Sequence, residues 1–123
     1  MSDRIVPNKD GTGIERIAAE RIRQTEKLGW TREHDDQHED GELAYAAACY
    51  AAPERIYIKT RKADEWFRFF DPFPTSWKDA RPARTDSGLM IVGVNSKAKR
   101  IRLLEKAGAL IAAEIDRLLR GRV

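Results

Sequence analysis

The sequence predicts a mainly all-α domain: a helical bundle of three principal helices with an irregular middle, completed by association with further copies. Three observations predict it. Apolar residues recur at three- and four-residue steps over 14–28 and 97–120, the period of a helix with one buried face. Residues 42–52 are alanine-rich and apolar on nearly every side, which places a helix among neighbours. Residues 54–95 hold most of the aromatic residues and three prolines, a composition that breaks regular structure. The 123 residues make one domain, 1–123, with 1–13 a loose N-terminal arm and 54–95 an irregular insertion.

Pro7, Asn8, Asp10, Gly11 and Gly13 are turn formers with little to bury. From Ile14 the helical pattern runs through Ile17, Ala18 and Ile22 to Leu28, with Glu15, Arg16, Glu20, Arg21 and Arg23 on the other faces. Thr12 or Gly13 caps its start, and Gly29 stops it. A polar hinge, residues 30–37, leads to the second helix, which Pro53 ends. Further on, Arg55–Lys59 alternates like a short strand, Ala63–Phe70 suits a helical turn, and Gly88–Val94 is a short apolar run. Asn95-Ser96 caps the third helix, about Lys97–Arg120. Its seam of Ile101, Leu104, Gly108, Ile111, Ile115 and Leu118 follows heptad-like steps of 3, 4, 3, 4 and 3. The apolar circumference of the second helix needs more cover than two partners give, so a homo-oligomer is expected.

Composition and charge exclude several classes. Lys plus Arg is 23 and Asp plus Glu is 20, a net +3, and no helix carries a one-sided basic face, so nucleic acid is not the expected partner. No apolar run reaches the length of a membrane span, and no signal core follows Met1. One cysteine, Cys49, fits a reducing compartment, so a cytoplasmic location is expected. One Cys and two His are too few for a structural zinc site, and no Walker loop, GxGxxG or Gly-x-Ser-x-Gly is present.

The charges are segregated. Between Glu33 and Glu42 lie six acids, no Lys or Arg, and both histidines, His34 and His38. If a helix starts near Gln37, His38 or Glu39 shares a face with Glu42 and suits an oxygen-preferring cation, Mg²⁺ or Mn²⁺; the other reading is first-turn acids that complement the helix dipole in water. Asp36, Glu39, Glu42 and Glu114 are the metal candidates, and Glu42 and His38 the catalytic ones. Lys97, Lys99, Arg100 and Arg102 crowd the start of the third helix, where the dipole disfavours cations, with Lys106 beyond them. Arg100, Arg102 and Lys106 are therefore candidates for a phosphate group, against the plainer readings of a solvated face or ion pairing with the acids. Trp30 either stacks on a base or belongs to the core.

The segments Ala19-Glu20-Arg21-Ile22-Arg23-Gln24, Gly29-Trp30-Thr31 with Glu33-His34-Asp35-Asp36-Gln37-His38, Gly41-Glu42-Leu43-Ala44 and Lys106-Ala107-Gly108-Ala109-Leu110-Ile111 resemble a family of small phage and prophage proteins, over about half the chain. The chain departs from the family's pattern at Phe73-Pro74, at a lone Trp77 and at the Gly88–Val94 run. A more distant likeness is to the MazG-like all-α nucleoside triphosphate pyrophosphohydrolases, whose Glu-x-x-Glu is matched by Glu39-Asp40-Gly41-Glu42. The second half of their metal motif has only Glu114 and Asp116 near its place. These resemblances imply a phage protein in the bacterial host cytoplasm that acts on a nucleotide or other phosphorylated small molecule. As an enzyme it would be a Mg²⁺-dependent pyrophosphohydrolase. The alternative is a non-catalytic protein that sequesters a nucleotide signal against host defence, and a third reading is an interaction protein that docks a basic partner on its acids.

Overall fold

The computed structural model describes residues 4–53, 55–61, 67–74, 77 and 96–121, and these are mostly helical. The order is α1 (Gly13–Glu26), α2 (Arg32–Asp36), α3 (Glu42–Ala51), β1 (Ile58–Arg61), β2 (Phe67–Phe70) and α4 (Ser96–Arg120). No described helix is long and apolar enough to cross a membrane.

Helix α1 starts at a reciprocal cap. The Thr12 hydroxyl accepts from the Glu15 N–H, and the Glu15 carboxylate accepts from the Thr12 N–H at 2.8 Å, which satisfies two donors the helix cannot. The residues just before it are tied down as well: the Asn8 N–H donates to the Glu15 carbonyl at 3.0 Å, and Arg16 Nε donates to the Gly11 carbonyl at 2.7 Å. The expected loose arm is thus bound to α1 from Asn8 onward. Gly29, with φ +70°, turns the chain after α1. The expected hinge contains a short helix, α2, because Thr31 caps it by accepting from the His34 N–H at 3.3 Å. Gly41, with φ +85°, then turns the chain into α3; a Cβ there would be strained and would meet the Tyr45 ring at 3.3 Å.

Strands β1 and β2 pair antiparallel, Ile58 opposite Phe70 and Arg61 opposite Phe67. The short strand expected near Lys59 is present, whereas Phe67–Phe70 is extended rather than helical: across the ladder its backbone pairs with β1, which a lone helical turn could not match. Arg55 Nη1 reaches the Asp71 carboxylate at 3.1 Å, and that carboxylate also accepts from the Phe73 N–H, so the chain leaves β2 in a fixed turn. The Gly88–Val94 run and the Asn95 cap lie outside the described residues.

The core forms where α3 lies along α4. Leu43, Ala46, Ala47, Cys49 and Tyr50 meet Leu103, Ala107, Leu110 and Ala113, with Phe73 closing one end. Alanine on both sides lets the two backbones approach. Helix α3 is not covered all round, since Ala44, Tyr45 and Ala48 face solvent. The bounds expected for the three long helices are met to within two residues, but the buried faces of two are not the expected ones. On α1 the buried residues are Glu20 and Gln24, while Ile14, Ile22 and, beyond its end, Leu28 are exposed. On α4 Leu104, Ile111, Ile115 and Leu118 of the expected seam are exposed. The reason is a second apolar face on α4, Leu103–Ala107–Leu110–Ala113 at steps of 4, 3 and 3, whose small residues fit α3 better.

Helix α1 crosses α4 at Gly108, where a Cβ would stand 2.5 Å from Ile17 Cδ1 and 2.7 Å from its Cγ1. Ile17 is β-branched and has little rotamer freedom with which to move aside. Gly108→Leu therefore lowers unfolding stability in urea by about 2 kcal/mol although leucine is the better helix former, because overpacking outweighs propensity. An unchanged urea midpoint would show that the crossing is not close.

Candidate functional site

Asp35 is fully buried, at 0% exposure, and is held from two sides. Arg21 Nη2 of α1 donates to Oδ2 at 3.2 Å, and His34 Nδ1 lies 3.1 Å from Oδ1. Four residues on, His38 Nδ1 lies 2.8 Å from Glu42 Oε2, and the other oxygen of Glu42 accepts from the Asp40 N–H at 2.9 Å. The expected proximity of His38 and Glu42 is met, but in the turn before α3 rather than on a helix face, because the left-handed Gly41 brings the chain round. A neutral imidazole that gives its Nδ1 hydrogen to a carboxylate keeps Nε2 as a proton acceptor.

The two imidazoles join two indoles. Trp30 stacks on His34 with centroids 5.5 Å apart and planes 3° from parallel. His34 meets His38 at 4.7 Å, His38 meets Trp77 at 5.2 Å, and Trp77 returns to Trp30 at 5.2 Å. Phe73 and Tyr50 continue the chain of rings into the core. All four rings of the group are partly exposed. Trp30 is therefore both packed against the core and part of an aromatic surface. On this cluster a ligand finds π-faces and two nitrogens able to accept or move a proton.

One further acid of the stretch, Asp36, meets an arginine of α4, and Glu114 pairs within α4 itself. Arg120 Nη2 reaches Asp36 at 2.8 Å, and Arg117 Nε reaches Glu114 at 2.5 Å. The hydrogen bond that Arg117 donates to Glu114 raises its guanidinium above the ordinary value, with smaller contributions from the charges of Glu114, Glu39 and Asp36. The acidic stretch does face the end of α4, where Arg120 pairs with Asp36 and Arg117 feels the charges of Glu39 and Asp36. Asp36, Glu39, Glu42 and Glu114 do not converge on one point, and among the described residues no three His, Cys, Asp or Glu are grouped to hold a metal ion. As arranged, the donor set does not fit Mg²⁺ or Mn²⁺, which need several oxygens aimed at one centre.

The basic start of α4 has structural duties. Arg100 donates to the carbonyls of Tyr50, Ala51 and Ala52 at the C-terminal end of α3, where a cation is favoured. Arg102 Nη2 lies 2.7 Å from Glu20 Oε1, and its Nη1 lies 3.0 Å from Glu105. Arg23 adds two bonds to Glu20, at 2.8 and 3.0 Å, and Gln24 a fourth at 3.2 Å. Lys106 is half-buried beside them. Desolvation first, then the charge of Arg102, lowers its ammonium below the usual lysine range against the pull of Glu20. Glu20 thus sits at 2% exposure inside a polar clasp, a role that a surface reading of α1 does not foresee. The signal for it was local: Arg23 and Gln24 stand three and four residues away, the spacing at which helical side chains meet.

Two cavities flank this arrangement. A cleft of about 640 Å³ between α1 and the first half of α4 is lined by Lys9, Arg16, Glu20, Arg23, Arg102 and Glu105 among others. A cavity of about 500 Å³ lies beside α2 and is lined by Arg21, Thr25, Arg32, Asp116, Leu119 and Arg120. Arg21 and Arg120 in it are ion-paired to Asp35 and Asp36, whereas Arg32 is exposed. Comparison with protein-family models, with curated proteins and with solved structures finds no match for this chain.

Burial pushes the Glu20 carboxyl up, but the bonds and charges of Arg23 and Arg102 more than reverse this, so it sits below the usual glutamate range. A carboxyl lowered only in the folded chain favours folding above the unfolded value, about 4.3, and loses that contribution as pH falls through the lower folded value. Urea titrations across the acid range will show the wild type losing stability below about pH 4. Glu20→Gln removes this part of the acid limb and costs about 2 kcal/mol near neutrality, where Arg23 loses its counterion and Arg102 keeps only Glu105. Parallel acid limbs in the two proteins would contradict the clasp.

Proposed function

We propose that the chain binds a nucleotide or another phosphorylated small molecule beside α2, and holds it without metal-dependent turnover. The carrying observation is the cavity of about 500 Å³ with Arg21, Arg32 and Arg120 in its wall, next to a helix whose His34 belongs to the indole–imidazole cluster. That volume suits a small ligand. Arginine forks match phosphate oxygens, and indole faces stack on a base. In this reading Arg32 is the first contact for phosphate charge, Trp30 offers a stacking face, and the Nε2 atoms of His34 and His38 orient polar groups. Arg100, Arg102 and Lys106 support the fold instead. The phage-family likeness of the motifs agrees with a protein of the bacterial host cytoplasm that sequesters a nucleotide signal against host defence.

The pyrophosphohydrolase reading uses the same ligand class. Mg²⁺ or Mn²⁺ would supply charge neutralisation on the phosphates, and His38, oriented by Glu42, would take a proton from water. The ion pairs of Asp36 with Arg120 and of Glu114 with Arg117 favour sequestration over this reading, since they occupy carboxylates that a metal needs.

Isothermal titration against nucleotides and signalling dinucleotides, with and without Mg²⁺, tests the proposal. At least one of them binds without metal. Arg32→Ala weakens it about tenfold or more, the loss of one charge-assisted contact, and Trp30→Ala weakens it as well. The ligand recovered after denaturation is intact; recovery of a cleaved ligand only when Mg²⁺ is present would establish the hydrolase instead. Absence of binding by every probe, or full affinity in both variants, would contradict the site.

A further inference from the structure

We propose that the exposed apolar stripe of α1 and α4 is a homodimer interface whose occupant is the same stripe of a second copy. Ile111, Ile115 and Leu118 are about half exposed, Leu104 slightly less, and Leu119 is 78% exposed. Ile14 and Ile22 of α1 flank the Ile17–Gly108 crossing and are exposed too. Seven aliphatic side chains, each two-fifths to four-fifths bare, present ~700 Å² of apolar surface, near the ~800 Å² per partner of a stable interface and above the few hundred Å² that monomers leave bare.

Sequence spacing selects a second copy as the occupant. Leu104, Ile111 and Leu118 are seven residues apart, so they form one row along α4. The positions 101, 104, 108, 111, 115 and 118 carry no charged residue, as the centre of an interface requires. The row is symmetric about its middle. With a twofold axis at Ile111 and the two α4 helices antiparallel, Leu104 meets Leu118 of the second copy, Ile111 meets its own counterpart, and Leu118 meets Leu104. Self-complementarity of this kind is what a closed twofold dimer needs. The surface shares Leu119 with the arginine cavity of the ligand reading and does not otherwise rest on that reading. It also differs from the one expected from the apolar second helix, because α3 leaves bare only Ala44, Tyr45 and Ala48.

Light scattering and sedimentation of the full chain at micromolar concentration test the interface. The wild type has twice the chain mass. Ile111→Glu and Leu118→Glu each convert it to monomer with the helical circular dichroism retained, while Ala44→Glu, on the bare side of α3, leaves the dimer intact. Leu119 also lines the arginine cavity and is left unchanged. Ile111→Cys, placed on the axis, gives a disulfide-linked dimer on mild oxidation, whereas Glu26→Cys at the end of α1 does not; this readout stands even if a glutamate variant fails to fold. A monomeric wild type would overturn the proposal and leave the stripe to a different protein. A dimer that survives both glutamates, or an Ile111→Cys variant that does not cross-link, would overturn it as well.

Discussion

Glu20 and the groups that hold it decide how the first helix lies on the last. A carboxylate at 2% exposure is tolerable only where donors surround it, and Arg23, Gln24 and Arg102 supply four bonds. Desolvation offsets most of the attraction in such a cluster, so its contribution to stability is modest. Its effect on orientation is large. Turning α1 so that Ile14 and Ile22 faced inward would take Glu20 from Arg102 of α4 and leave that arginine Glu105 alone. The contact of Ile17 on Gly108 fixes the same rotation by shape. Charge and packing therefore agree on a helix with its polar side against the protein and its apolar side bare.

The same use of carboxylates recurs around α2. Asp35 ties Arg21 of α1 to His34, Glu42 steadies His38, and Asp36 holds the end of α4 through Arg120. An acidic stretch that reads as a metal cage works instead, at Asp35, Asp36 and Glu42, as a set of struts, each of these acids with its own partner. What stays partly exposed is the complementary set: the indole and imidazole rings, together with an exposed Arg32. Those groups suit recognition of an aromatic, anionic small molecule more than coordination of a hard cation.

Much of the helical framework was legible. Thr12, Gly29 and Pro53 mark boundaries through backbone geometry alone, and that information is local. The buried faces were not legible, because two of them depend on partners distant in sequence. The stripe through Leu104, Ile111 and Leu118 is the more regular of the two apolar faces of α4, and within one copy the structure uses the other. Periodicity reports that a face is apolar, not whether its own chain or another covers it. Arg100 shows the same limit: its place at the start of a helix looks unfavourable until the carbonyls of Tyr50, Ala51 and Ala52 are brought to it. The short α2 was lost inside a polar hinge since five residues give too little period to read. The pairing of Phe67–Phe70 with β1 was missed because clustered aromatics suit either a helix or a strand.

A double-mutant cycle between Glu20 and Arg102 measures the central constraint most directly. Urea unfolding of the wild type, Glu20→Gln, Arg102→Met and the double variant gives their coupling, best measured at protein concentrations where all four share one association state. The clasp predicts a coupling of about 1.5 kcal/mol or more, with the double variant close to Glu20→Gln alone. Effects that add to within about 0.5 kcal/mol would mean that the two side chains do not meet across α1 and α4, and the orientation of α1 would have to be assigned anew.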